Sequence, residues 1–317
     1  MAVITQVADR AFRVESTLGR RRIAQWLVLG SERIALIDTG VAGMVEGQIV
    51  GALRELGHDI GDVAEVLVSH ADVDHYGGNA EIRRLAPRAT IRSHPSDRPL
   101  IESWATIFAQ RYGWYRQFGL DYDAATHAWL HDASGPDVPL DGTIAAGDRV
   151  ELGGVALEII DLPGHSAGHL GFWLERDRVL ISVDAVLERG LYDIDGTLIS
   201  PPPYVTASGY RTTLDRVAGL APSRLETAHY PEIRDDAVAA FVDASRRFAD
   251  RLEEVIAGRL GDDARSIAEL TAVADRELGP FSEMSNELAR SVAAHLEDLE
   301  CRGLARSVGD QPRWLAA

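Results

Sequence analysis

The sequence predicts an α/β fold, on three observations: two series of short apolar strand-like runs, helical runs between them, and a purely helical stretch toward the C-terminal end. Phe12 to Glu15, Ile23 to Leu29 and Ile34 to Asp38 read as strands of one sheet of a sandwich. Val45 to Leu56 is a helix closed by Gly57. Ala64 to Val68 is a buried strand, and the next helix is expected to open at Gly77-Gly78, where exposed N–H groups favour an anionic neighbour. Ala89 to Ser93 is another strand, ended by His94-Pro95, which makes this histidine a turn residue.

Residues 98–145 break the strand rhythm and hold eight of the 21 aromatic residues, so they read as an inserted helical lid. A second strand series runs from Val150 to Val183. The Ser200-Pro201-Pro202-Pro203-Tyr204 stretch is rigid and extended. A helix over Ala207 to Leu220 leads to a strand before His229. Helices follow at Asp235 to Leu260, Ile267 to Leu278 and Asn286 to Glu300, then two short strands around Gly309-Asp310. The division expected is residues 1–234 and 235–317.

With 317 residues, 46% of them apolar, the chain has material for a large core and a smaller appended domain. Cys301 is the only cysteine, which excludes an intramolecular disulfide and a thiolate-built metal site. All 32 basic residues are arginine, which excludes lysine chemistry. The net charge of −17 argues against nucleic acid as a partner, as do the 16 acidic residues against 10 arginines in 236–317. No basic leader and no membrane-length apolar run is seen, so a cytoplasmic protein with no membrane partner is expected. A homodimer is left open.

Five separated segments present histidine or aspartate after an apolar run. They are Leu36-Ile37-Asp38-Thr39-Gly40, Ser69-His70-Ala71-Asp72-Val73-Asp74-His75-Tyr76-Gly77-Gly78, Leu162-Pro163-Gly164-His165-Ser166-Ala167-Gly168-His169, Ile181-Ser182-Val183-Asp184-Ala185 and Glu226-Thr227-Ala228-His229-Tyr230. Strand ends are where such side chains can converge. In this order and spacing the segments resemble the metallo-β-lactamase superfamily, whose signature is an HxHxDH loop followed by a histidine, an aspartate and a last histidine. The resemblance covers roughly Met1 to Arg234. It implies an αββα sandwich with the lid and a small helical C-terminal domain added; three helices and a hairpin there resemble a winged helix.

The resemblance further implies that His70, Asp72 and His165 hold one divalent metal ion, that Asp74, His75 and His229 hold another, and that Asp184 bridges them. It places Asp38 behind the ligand loop, and His169 reads as a supporting residue rather than a ligand. Two cations sharing a water give hydroxide near neutral pH, with Asp74 and Asp184 as catalytic proton carriers. One departure stands out: Asp72 occupies the second histidine position, giving HxDxDH. Asp72 could ligate, favouring manganese or iron over zinc; it could fall short, leaving one ion; or the fold could be silent.

Trp104, Phe108, Tyr112 and Tyr115 recur at three- and four-residue steps, which puts them on one helix face as a candidate wall of a substrate pocket. Arg98, Arg111 and Arg116 nearby suit an anionic end of the substrate. Tyr204 and Tyr230 complete the candidate pocket, Tyr230 as a possible oxyanion donor. His58, His127, His131 and His295 read as solvated. The leading expectation is a metal-dependent hydrolase acting on an ester, thioester, lactone or amide of a small, partly apolar molecule. The competing expectations are an iron-dependent oxygenase of the same fold and a non-catalytic regulator that binds DNA.

Overall fold

Alternation along the strands decides the layers. Trp26, Val28, Ala35 and Ile37 enter one apolar cluster, while Leu27 and Leu36 enter another, so the sheet that carries them is buried on both faces. Val179 and Ile181 against Leu180 do the same in a second sheet. The result is a four-layer αββα sandwich, seen in a computed structural model that describes residues 2–309 and 312–317. The first sheet runs β1 (Val3–Ala8), β2 (Ala11–Leu18), β3 (Arg21–Leu29), β4 (Ile34–Ile37), β5 (Val63–Leu67), β6 (Thr90–Ser93) and β7 (Gly142–Thr143) in spatial order.

Its first four strands are antiparallel and its last four parallel. The second sheet is built from β8 (Arg149–Glu151), β9 (Ala156–Asp161), β10 (Leu170–Leu174) and β11 (Val179–Val183). A small hairpin of β12 (Leu191–Tyr192) and β13 (Leu198–Ser200) stands apart from it; β14 (Arg224–Thr227) and β15 (Ile233–Arg234) complete it beyond β11. The edge strand β1 was not foreseen, because its residues are mostly exposed and show no apolar alternation.

The cluster between the sheets contains Trp26, Phe172 and Val183; the outer cluster on the first sheet takes in helical residues such as Val45, Ile49 and Leu53. The outer cluster on the second sheet joins the Ala207–Leu220 helix to the helices Asp236–Ala257, Ile267–Leu278 and Leu288–Cys301. The C-terminal helices therefore share a core with the sandwich. Their sequence-derived positions match, and the terminal hairpin is present as β16 (Ala305–Val308) and β17 (Arg313–Ala316), although Asp310 of the expected turn lies outside the described residues. Among the described residues no helix is long and apolar enough to cross a membrane.

Two glycine sites fix close approaches. A helix does open at the Gly77-Gly78 pair, Asn79–Leu85 with Gly78 as its N-cap, but the pair's own N–H groups are not left for an anion: Gly77 N–H bonds Val73 O and Gly78 N–H bonds Gly40 O. A Cβ at Gly78 would lie 2.5 Å from Thr39 O, so the pair lets the ligand loop pack against the end of β4. Gly164 sits at φ +135°, and a Cβ there would lie 2.6 Å from Tyr210 Cα. Gly164→Ala is therefore expected to destabilise the fold by about 2–4 kcal/mol and to displace His165, which urea denaturation and metal binding would show.

Candidate metal centre

Five strand ends meet at one edge of the sandwich. Asp38, just past β4, adopts φ 62°, and Val183, the last residue of β11, adopts φ 51°. A β-branched residue in that region is a strained position. The β11–β14 register shifts between Ile181 and Val183, and the bend it creates turns Asp184 toward the loop after β5.

Each imidazole is oriented from behind. His165 Nδ1 donates to Pro203 O at 2.8 Å, and His229 Nδ1 donates to Arg22 O at 2.7 Å. His75 Nδ1 donates to Asp38 Oδ2 at 2.9 Å. Ser69 Oγ donates to the same Asp38 oxygen at 2.8 Å, which leaves it as the acceptor for His70 Nδ1 at 2.9 Å. A carbonyl oxygen can only accept, so Nδ1 carries a proton and Nε2 is the atom turned inward, where it offers a lone pair once that nitrogen is deprotonated. Asp38 also accepts Ser69 N–H at 2.7 Å, so one fully buried carboxylate braces two histidines and the loop between them.

The inward atoms fall into three sets, each within 4.8 Å: His70, Asp72 and His165; Asp74, His75 and His229; and His70, His75 and Asp184. Asp184 Oδ2 lies 3.1 Å from His229 Nε2 and 3.5 Å from His75 Nε2. His70 Nε2, His75 Nε2 and Asp184 Oδ1 are buried with no hydrogen-bond partner. Orphaned buried lone pairs facing one another are costly unless a cation lies among them. Imidazole and carboxylate donors of this kind fit zinc, manganese or iron. Burial raises the Asp184 carboxyl, but the His229 and His75 rings outweigh it and hold the group well below the usual carboxylate range. Burial pushes the His70 ring down, with His75 adding to that effect, which favours the neutral form that ligates.

Asp72 is held differently from the rest. Arg111 Nε and Nη2 reach its two oxygens at 2.8 and 2.9 Å, a bidentate fork, and Tyr112 Oη donates to Oδ1 at 3.3 Å. His165 Nε2 is 3.0 Å from Oδ2 and His70 Nε2 is 3.6 Å away. Burial pushes the Asp72 carboxyl up; Arg111 and the two rings overcome this and hold it well below the usual range. His169 stacks on His70 at 4.6 Å between ring centroids and belongs to none of the three ligand sets.

The lid differs from the even helical face expected of it. A π-helical turn runs over Phe108–Tyr112, and its consecutive residues Arg111 and Tyr112 are both buried and line the cleft. Of the four aromatic residues at helical spacing, only Tyr112 lines the cleft. Trp104 packs on Tyr112, Phe108 lies beneath Arg116, and Tyr115 is buried with its hydroxyl on Arg111. Tyr204 stacks on Tyr210 and bonds the buried His295, which is thus not solvated. Tyr230 donates its hydroxyl to the carbonyls of Leu187 and Gly190 and is spent on the fold. Arg98 and Arg116 pair with Glu102 and Asp121 instead of facing a substrate.

The cleft over the ligands is lined instead by Arg21, Trp129, Leu130, Leu187, Leu191, Met284 and Glu287. Met284 and Glu287 come from the C-terminal helices' segment, where Glu287 accepts a bond from Tyr122 of the lid. Asp97 was also missed: it accepts Ala71 N–H, Gly168 N–H and Ser166 Oγ–H, tying the two ligand loops together. Its position just past β6, in the turn that His94 begins, was the available signal.

Comparison with known proteins gives relatives of one superfamily and fold. The profile of the metallo-β-lactamase superfamily matches residues 18–239. A hydroxyacylglutathione hydrolase of Methylobacterium sp. is 25% identical over 169 residues, covering 53% of this chain and 50% of that protein. A β-lactamase-like protein 2 homolog of Caenorhabditis elegans is 32% identical over 205 residues, covering 64% and 54%. The chain spans about half the length of the curated relatives it matches. A metallo-β-lactamase family protein from Thermus thermophilus shares the fold at TM-score 0.75 and 22% identity, with 98% of this chain and 99% of that one covered. A β-lactamase domain protein from Burkholderia ambifaria does so at 0.74 and 20%, with 99% and 94% covered.

Proposed function

The chain belongs to the metallo-β-lactamase superfamily, and from that premise we propose that it is a metal-dependent hydrolase cleaving a thioester, ester, lactone or amide of a small, partly apolar molecule. The observation that carries this reading is the convergence of four inward Nε2 atoms with Asp74 and Asp184 beneath a partly apolar cleft. Relatives whose names give a thioester hydrolase support the acyl class. In this reading His70, Asp72 and His165 would hold one ion, Asp74, His75 and His229 would hold the other, and Asp184 is placed to serve both sets. Bound divalent cations supply an acidified water and polarise the scissile carbonyl.

The chain's own residues do the rest. Asp38, Pro203 O and Arg22 O keep the imidazoles aimed and in one tautomer. Of the two carboxylates assigned to proton transfer, Asp74 is the more exposed, at 16% against 6% for the side chain of Asp184, and it lines the cleft, where it can take the proton. Trp129, Leu187 and Leu191 give the cleft an apolar wall that displaces water.

Arg21 sets the polar end of the substrate. It lines the cleft beside Met284, whose Sδ is 3.9 Å from Nη1, and enters no ion pair among the described residues. An unpaired guanidinium there suits a carboxylate at the far end of the substrate. Arg21→Gln is expected to raise KM about tenfold for a carboxylate-bearing thioester, leaving kcat and the KM of its neutral methyl ester unchanged. The function is tested by assaying zinc- and manganese-loaded protein on matched thioester, ester, lactone and amide substrates, with and without that carboxylate. Turnover of at least one acyl class supports the reading, and turnover of none by fully loaded protein rejects it.

A further inference from the structure

We propose that Arg111 is a fixed charge built into the centre that makes its two metal positions unequal: it neutralises Asp72, so the His70–Asp72–His165 position takes a divalent cation weakly, while the Asp74–His75–His229 position fills first. This rests on the centre being a metal centre, as proposed above. The fork engages both oxygens of Asp72, and the two side chains are only 9% and 12% exposed. At that burial an unpaired partner would be costly, so the pair is kept. The guanidinium is also fixed in place, since Arg111 is buried within the π-helical turn and Tyr115 Oη accepts from its Nη1 at 3.3 Å.

Charge then separates the two positions. With the imidazoles in their neutral, ligating form, two rings, one carboxylate and one guanidinium sum to zero at the first. Two rings with Asp74 sum to minus one at the second, Asp184 lies between the two and counts for both, and the Asp38 carboxylate stands directly behind His75. In a buried site that difference acts on a divalent ion with little screening. The aspartate in the ligand loop and the arginine in the lid thus form one device. The lone carboxylate is present, but its charge is already used.

The test is calorimetric titration of chelator-stripped, full-length protein with zinc chloride and, separately, manganese chloride. The parent is expected to show two steps, one equivalent each, with the second at least about tenfold weaker. Arg111→Met should tighten the second step by about tenfold or more and leave the first unchanged. Two equal steps in the parent would overturn the proposal. So would an Arg111→Met protein that loses its second step, which would mean that Arg111 serves to aim Asp72 at the ion. Should Arg111→Met fail to fold, Asp72→Asn keeps a hydrogen bond to Arg111 and should abolish the weak step alone; loss of the tight step instead would overturn the proposal. No metal uptake by the parent at all would reject the metal-centre reading itself, an outcome distinct from the others.

Discussion

Asp184→Asn is expected to lower kcat/KM by about three to four orders of magnitude and to reduce the metal held per chain. Asparagine keeps the shape but removes the anion that lies between the two ligand sets, within 3.5 Å of both His75 and His229 Nε2. It would also set a neutral amide where Asp184 Oδ1 now has no partner. The change is too local to unfold the chain, because Asp184 braces no backbone group among the described residues. Steady-state kinetics with elemental analysis checks it. Full activity with full metal content would remove Asp184 from the centre.

Asp38→Ala is expected to act on both stability and activity. It removes the acceptor of three donors at once, Ser69 N–H, Ser69 Oγ–H and His75 Nδ1–H, in a fully buried position. Leaving buried donors unpaired costs about 1–3 kcal/mol for each, so a loss of about 3 kcal/mol or more is expected in urea denaturation. In whatever fraction stays folded, His75 and His70 lose their orientation together, and metal affinity should fall by about 10- to 100-fold. A variant as stable as the parent but equally weakened in metal binding would show that Asp38 tunes the ligands without holding the loop.

Much of the centre was legible in the sequence because its parts are local. Each ligand segment follows an apolar strand, and a residue just past a strand end is exposed at the sandwich edge whatever the register elsewhere. The helices of residues 236–301 were legible for a similar reason, since their periodicity is long and uninterrupted.

What escaped depends on long-range fit. A three- and four-residue aromatic spacing implies an unbroken helix, whereas a π-helical turn interrupts it at Phe108–Tyr112, and there Arg111 and Tyr112 line the cleft while Phe108 does not. The cleft residues Arg21, Trp129 and Met284 come from β3, the lid and the C-terminal segment, and no local pattern links them. Tyr204 and Tyr230 were drawn toward the centre by their place beside ligand segments. Their neighbours turned out to be the relevant groups: Pro203 O orients His165, and His229 itself faces Asp184. The role of Asp72 was left open because its partner, Arg111, lies 39 residues away in the chain.

The central claim is that a bound divalent ion makes this site hydrolytic. The most direct test is the rate of acyl-bond hydrolysis by one preparation measured as purified, after removal of metal by chelator, and after return of zinc or manganese, with Asp184→Asn run in parallel. Turnover is expected to disappear with the metal, to return when it is restored, and to stay absent in Asp184→Asn. Hydrolysis that persists unchanged in the stripped protein, or in Asp184→Asn, would contradict it.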